Sequence, residues 1–392
     1  MCPMFFFDDY TIGEPLTTDR ILPDGTVFYE KITDTYYFKD KGAARPFANR
    51  EAVTQNRFSL AHVINGTNRY TTRVRPITGF DSSVFNPVVQ ARLDTRDCEN
   101  ELLKIATIFV VSGAHTPAQV KKIEQFKAGI SDRYYWATES LSQLDMSYPT
   151  VILQDDGYLF DRNTDGTARI LPEVTHTFFD QHPDAFDFVF VWTNVKVPFE
   201  DHDVNAQYIA VTNGWRGNGN TEFNRADQYG STGKLKGIVH MGDINRYTTT
   251  DGALYSQALD TALHEIGHHW LAFLGFSDAD NKFSRDLLDG TSNHWSRFVN
   301  FASPMGPWGW VDNGDGTVTS KRGLMTDPYL RKYSILDLYL MGLIPHQVMP
   351  LMSYVVPESK DAQGGIISGT LAEVSMQQII RANGRMRCML SQ

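Results

Sequence analysis

Between Thr250 and Leu274 the chain carries the pattern that most restricts its fold, an amphipathic helix with His264-Glu265-Ile266-Gly267-His268 along one edge. Thr250 or Asp251 is placed to cap the helix N-terminus, and no Gly or Pro interrupts the run from Ala253 to Ile266. Leu259, Leu263, Ile266, Trp270 and Leu274 recur at three- and four-residue spacing, which makes an apolar stripe, and Gly275 offers a stop. Four residues turn a helix through about 400°, so His264 and His268 project from nearly the same face, beside that stripe and hence at the edge of a core. A lone histidine there would ordinarily cap a core edge. Two histidines in this register, with Glu265 between them, predict a shared metal ion, and zinc is the ion that two imidazoles on one helix suit best. Glu265 would lean toward the open side of that ion, where a carboxylate can take a proton from an attacking water and pass it on.

The rest of the composition sets bounds on that expectation. At 392 residues, with 42% hydrophobic and 12% aromatic side chains, the chain can bury a large core and is expected to hold two or three structural units. A formal charge of −10 argues against nucleic acid or an anionic membrane surface as the main partner. No apolar run approaches the roughly 20 residues of a membrane span. The opening Met1-Cys2-Pro3-Met4-Phe5-Phe6-Phe7-Asp8 lacks the basic n-region of a signal peptide, so the expectation is a secreted protein in mature or trimmed form, or a cytoplasmic one. Cys2, Cys98 and Cys388 are too scattered for a disulfide framework; one bridge is possible, between an unspecified pair.

Residues 1–100 read as a β-rich, sandwich-like unit: Thr26-Val27-Phe28-Tyr29, Asp34-Thr35-Tyr36-Tyr37-Phe38 and Tyr70-Thr71-Thr72-Arg73-Val74 alternate with turn residues. From residue 101 the order changes to α+β. A buried strand at Ala106–Val111, a helix from Pro117 to about Leu144, strands at Thr150–Leu153, Asp187–Trp192, Gln207–Val211 and Gly237–Met241, and a short helix at Val174–Gln181 all precede the His264 helix. This upper part, 101–275, is followed by a lower part, 276–346, with a tight hairpin turn at Asp312-Asn313-Gly314-Asp315-Gly316-Thr317 and a helix at Ser334–Leu343 ended by Pro345. Residues 347–392 are expected as a C-terminal extension. The Gly-rich stretch Gly214–Asn220 reads either as a wall of a cleft or as a plain connector.

The element order resembles the N-terminal subdomain of zincin metallopeptidases. That resemblance implies a twisted mixed sheet packed on the active-site helix, and a cleft-side edge strand, matched here by residues 237–241, that pairs with extended substrate. It implies three protein ligands with water in the fourth position. Leu274, six residues past His268, cannot coordinate, which disfavours the metzincin subgroup, and no Glu lies about 20 residues on to serve as a gluzincin-like ligand. The preferred third ligand is Asp337, a lone carboxylate among Ile335, Leu336, Leu338, Leu340 and Met341, where an unpaired charge is costly and is expected to meet a cation. His294, and Asp286 or Asp289, are the alternatives. His294 reads equally as an oxyanion stabiliser, Tyr333 or Tyr339 as a hydrogen-bond donor to a tetrahedral intermediate or a core tyrosine, and His269 as a non-ligand pointing about 100° away from His268.

Ser334-Ile335-Leu336-Asp337-Leu338-Tyr339-Leu340-Met341-Gly342 is similar to the S-x-L-D-x-Y-L-M-G segment of a bacterial group with H-E-x-G-H helices, a likeness spanning about residues 185–345 and including Val239-His240-Met241 and the 312–317 turn. It also resembles, more loosely, the D-x-x-Y-G segment of aspzincins, which use an aspartate as third ligand. The opening of Asp161-Arg162-Asn163-Thr164-Asp165-Gly166-Thr167 resembles a Ca²⁺ loop, but its twelfth position is Pro172, so an Asp-Gly hairpin is the expectation. Together these point to a zinc endopeptidase acting on protein or peptide, with Glu265 as general base. The alternative is a surface or binding module that keeps a structural zinc helix.

Overall fold

The computed structural model describes residues 27–30, 34–40, 43–55, 64–65, 71–72 and 102–388, apart from 165–166, 198–205, 279, 291–292, 300–302, 307, 316, 323–331, 345, 347–348 and 359–365. The chain divides into two compact units, Met1–Arg96 with Ile344–Pro350 and Asp97–Leu343 with Leu351–Gln392. In the first, Val27–Glu30, Thr35–Asp40, Ala43–Pro46, Ile64–Asn65 and Thr71–Thr72 form one five-stranded sheet, and the helix Arg50–Gln55 seats Ala52 and Val53 on its Val27, Phe38 and Phe47 face. The described residues thus give a sheet and a helix where a sandwich-like pair was expected; Tyr70, Arg73, Val74, Cys2 and Cys98 lie outside them.

The second unit is mixed α/β. Its main sheet is built from β1 (Leu102–Val111), β2 (Gln143–Asp145), β3 (Val151–Gln154), β4 (Phe188–Thr193), β5 (Gln207–Ala210) and β6 (Gly237–Asp243). The order runs β5-β6-β4-β1, with both β2 and β3 on β1; all pairs are parallel except β5 against β6. Every residue of β4 is buried, as a strand covered on both faces requires. Its even and odd positions divide between two cores. Phe188 and Trp192 meet aromatic rings on one side, Trp270 for the first and Phe126 and Tyr247 for the second. Val189 and Val191 pack on the other with Val174 and Phe178 of α2 (Glu173–Phe179). The first face is covered by α1 (Pro117–Ala137), which starts in a Thr116/Gln119 capping box, and by α3 (Gly252–Gly267), capped by the Asp251 side chain.

Two expectations are corrected here. The strand before α3, Gly237–Asp243, is interior, and β5 takes the sheet's edge beyond it. The Gly-Ile-Val-His-Met run is buried on both faces, which marks a central strand, whereas Gln207–Ala210 is only half-buried. The helix also ends at Gly267 and not near Leu274. From His268 the chain tightens into i→i−3 bonds, with the N–H groups of His268, His269 and Trp270 donating to Glu265, Ile266 and Gly267 at 3.2, 3.2 and 3.0 Å, and Ala272 then turns left-handed at φ 64°. Trp270 and Leu274 still reach the core, but from a turn.

Beyond α3, β7 (Trp308–Asp312), β8 (Thr317–Arg322), β9 (Met352–Pro357) and β10 (Ile366–Val374) make a four-stranded antiparallel sheet in the order β7-β8-β10-β9, the first two joined by the expected hairpin. α4 (Ile335–Leu340) opens with a Ser334/Asp337 capping box and closes as a Schellman turn, where Gly342 N–H donates to Tyr339 C=O at 2.9 Å and Leu343 N–H to Leu338 C=O at 2.8 Å. Of residues 347–392, expected as an extension, Leu351–Gln392 group with this unit and the stretch up to Pro350 with the first. α5 (Met376–Asn383) ties back through the Asn383 side chain to both backbone groups of Gly275, and Arg387–Cys388 pairs with Trp215–Arg216. The Gly-rich stretch is held against that tail and against Leu274, beyond the turn that follows α3. A Cβ at Gly217 would come within 2.6 Å of Arg385 backbone, and one at Gly219 within 2.4 Å of Leu274 Cα. Asp161 and Asn163 belong to a hairpin of Phe160–Arg162 with Ala168–Ile170, while Asp165 and Gly166 of the calcium-like loop lie outside the described residues. No helix among the described residues is long and apolar enough to cross a membrane.

Candidate metal centre

The C-terminal turn of α3 places His264 and His268 with their Nε2 atoms 3.2 Å apart, as the four-residue spacing dictates. A third ring joins them from a loop. His294 Nε2 lies 3.0 Å from His264 Nε2, and the three residues form a group whose candidate ligand atoms all fall within 4.8 Å of one another. That loop is narrow: Leu288 and Trp295 face each other across a bridge, Asp289 N–H donates to His294 C=O at 2.9 Å, and Ser296 N–H to Leu287 C=O at 2.9 Å. Such a closed hairpin holds the single residue at its mouth in one place.

His264 is oriented from behind. Its Nδ1 lies 2.7 Å from the Pro304 carbonyl, which accepts the ring N–H and leaves the Nε2 lone pair for the centre of the group. Pro304 occupies a tight turn in which Ser303 and Gly306 exchange backbone hydrogen bonds at 3.2 and 3.1 Å. Met305, fully buried on that turn, packs directly on Gly267. Burial, with smaller contributions from the neighbouring rings, pushes the pKa of His264 down to about 4 and that of His268 down to about 2. Burial and the neighbouring rings, which outweigh the opposing pull of the Pro304 hydrogen bond on His264, favour neutral His264 and His268 at neutral pH, the form that binds a metal.

Glu265 is buried, and burial pushes its carboxyl pKa up to about 7, opposed by a hydrogen bond from the Tyr208 backbone N–H of the edge strand β5. Tyr208 also places its hydroxyl 3.0 Å from His269 Nδ1 and stacks its ring near His268 at 6.5 Å between centroids. His269 is thus turned to β5 and to Phe188, away from the group of three.

Asp337 stands apart from that group, and so do Asp286 and Asp289. A lone buried carboxylate was expected to take a cation as its partner. In the structure its partners are hydrogen-bond donors, which offset part of the cost of burial. Oδ1 accepts from the Trp295 indole at 2.8 Å, Oδ2 accepts from Ser334 N–H at 2.7 Å, and the Ser303 side chain adds a further bond. Burial still outweighs them and pushes the Asp337 pKa up to about 6. Tyr333 and Tyr339 are likewise engaged in the core: Tyr333 donates to Leu263 C=O at 2.6 Å, and the Tyr339 hydroxyl accepts from Met386 N–H at 3.4 Å. What sequence reasoning missed is the backbone: the Pro304 carbonyl and the Tyr208 N–H carry no side-chain signal. From sequence, His294 in Asn293-His294-Trp295 was an alternative to Asp337, with no local signal to prefer it.

No protein-family model matches the chain, and no curated protein matches it. Among solved structures, the crystal structure of archaemetzincin from Methanopyrus kandleri is similar to part of the chain, at 14% identity, over 48% of this chain and 83% of that one, with a TM-score of 0.25. An overlap of that quality does not define a shared fold.

Proposed function

We propose that this chain is a zinc-dependent peptidase in which His264, His268 and His294 hold the ion and Glu265 is the general base. The observation that carries the reading is the convergence of three imidazole Nε2 atoms, at 3.2 and 3.0 Å from His268 and His294 to His264, beside a buried carboxylate. Ligands at zinc–nitrogen distances of about 2.0–2.1 Å in a tetrahedron stand about 3.3 Å apart, so the separations fit a ring of ligands drawn slightly inward. Two of these rings resist protonation, which preserves their lone pairs. The donor set, three imidazole nitrogens with no thiolate, suits zinc and leaves a fourth position open.

Bound there, zinc supplies Lewis acidity toward a water and a scissile carbonyl. The residues supply the rest. A carboxyl with its pKa near 7 is matched to moving protons at neutral pH: a Glu265 oxygen takes the proton from the attacking water and delivers it to the leaving amine nitrogen. The Pro304 carbonyl keeps His264 in one tautomer throughout. β5, at the sheet's margin and bonded through Tyr208 N–H to the base, offers an extended peptide a backbone to pair with, in a zincin-like arrangement. The substrate is accordingly a protein or peptide.

The test is metal analysis of purified protein together with a casein-type assay, with and without chelator. Stoichiometric zinc and chelator-sensitive cleavage, restored by zinc, support the reading. Zinc without cleavage, unchanged in Glu265→Gln, favours a structural ion, and absence of metal uptake refutes the centre altogether.

A further inference from the structure

Asp337 is the one fully buried carboxylate among the described residues that the proposed chemistry does not use. It is held by two segments distant in sequence and by the first turn of its own helix. The Trp295 indole donates to Oδ1 at 2.8 Å, and Trp295 is the residue after His294. The Ser303 side chain bonds the same carboxylate, and Ser303 precedes Pro304, whose carbonyl lies 2.7 Å from His264 Nδ1. Ser334 N–H donates to Oδ2 at 2.7 Å, which anchors the carboxylate on the first turn of α4. The two segments are also joined to each other, since Trp295 N–H donates to Met305 C=O at 3.1 Å.

We infer that Asp337 is the positioning residue of the metal centre, a single anchor that fixes the His294 hairpin through Trp295 and the His264-orienting turn through Ser303. The inference rests on the metal reading proposed above. Its physical basis is that one carboxylate accepts several bonds at once, each strengthened by charge and by exclusion of water, so two otherwise separate loops share one fixed point. Each segment closes on itself only through isolated bridges, Leu288 with Trp295 and Ser303 with Gly306, so its placement against the other depends on contacts such as these. Without the anchor the third ring and the tautomer of the first would lose their registration together. That is the role outer-shell partners play in metal sites, where their loss typically weakens affinity by about 10–100-fold.

The same residue also caps α4, so the test has to separate positioning from stability. Ser334→Ala removes the other half of that capping box and leaves the Trp295 and Ser303 bonds in place. Co²⁺ titrations, read by visible absorption, compare the wild type with Asp337→Asn, Trp295→Phe, Ser303→Ala and Ser334→Ala, with circular dichroism and thermal melts on each. The expected result is that Asp337→Asn folds and binds Co²⁺ about 10–100-fold more weakly, with altered band intensities at saturation. Trp295→Phe and Ser303→Ala should each show part of that loss. Ser334→Ala should melt earlier yet keep wild-type affinity and spectrum. Wild-type affinity and spectrum in folded Asp337→Asn would overturn the inference, as would an equal loss of affinity in Ser334→Ala. If Asp337→Asn does not fold, Trp295→Phe and Ser303→Ala decide, and wild-type binding by both overturns it. Absence of Co²⁺ binding by the wild type sinks the metal reading itself, and the inference with it.

Discussion

Gly267→Ala should destabilise the protein, against the ordinary rule for helices, and its effect should change sign when Met305 is shortened. On propensity alone, replacing a helical glycine with alanine gains up to about 1 kcal/mol. Here the added Cβ would stand 2.7 Å from the Met305 sulfur, roughly 1 Å inside normal contact. Met305 has little room to withdraw: it is fully buried, its N–H is held by Ser303 Oγ at 3.0 Å, and its carbonyl accepts from Trp295 N–H at 3.1 Å. Overpacking of this kind costs about 1–3 kcal/mol, which leaves a net loss of up to about 2 kcal/mol. In a Met305→Ala background, itself less stable by about 2–5 kcal/mol, the clash is gone and the propensity gain remains. The coupling between the two substitutions should therefore be about 1–3 kcal/mol. Urea unfolding followed by tryptophan fluorescence, with chelator present so that no ion contributes, measures all four proteins. Stabilisation by Gly267→Ala of the same size in both backgrounds would refute the packing argument.

Three further outcomes follow from the centre. His294→Ala should lose zinc as completely as His264→Ala or His268→Ala in dialysis against a buffered zinc pool, whereas retention of full zinc by His294→Ala would remove it from the ligand set. Glu265→Gln should keep zinc but lose peptide hydrolysis by at least about 10²-fold, since an amide cannot accept the water's proton; cleavage at the wild-type rate would place the base elsewhere. Asp337 should make folding pH-dependent. Its pKa rises from 3.8 to about 6 on burial, so the folded state holds that proton more tightly, and its contribution is fully present below about pH 4 and lost as pH rises through 6. The rise corresponds to about 3 kcal/mol, so Asp337→Asn should gain about that much relative to wild type between pH 4 and 7 in chelator-treated unfolding curves; a difference that is flat with pH would contradict it.

Short-range physics made the helix and half of its site legible in the sequence. The four-residue spacing of His264 and His268 and the Asp251 cap are decided within a few turns of chain, because helical geometry alone sets which side chains meet. The apolar run of Asp187–Trp192 likewise announced a strand, which the structure buries on both faces. The 312–317 turn chemistry announced its hairpin in the same way. Tertiary structure decided which strand takes the sheet's edge, where α3 stops, and which residue completes the group of histidines. Asp337 shows why. A buried carboxylate requires partners, and the sequence states that requirement without naming them; a metal, an indole and a backbone N–H all satisfy it. The partners came from Trp295 and Ser303, 42 and 34 positions earlier in the chain, and the same folding brought His294 to His264 across 30 positions. Contacts at that separation depend on how loops close over a packed core, and no local pattern of residue types encodes them.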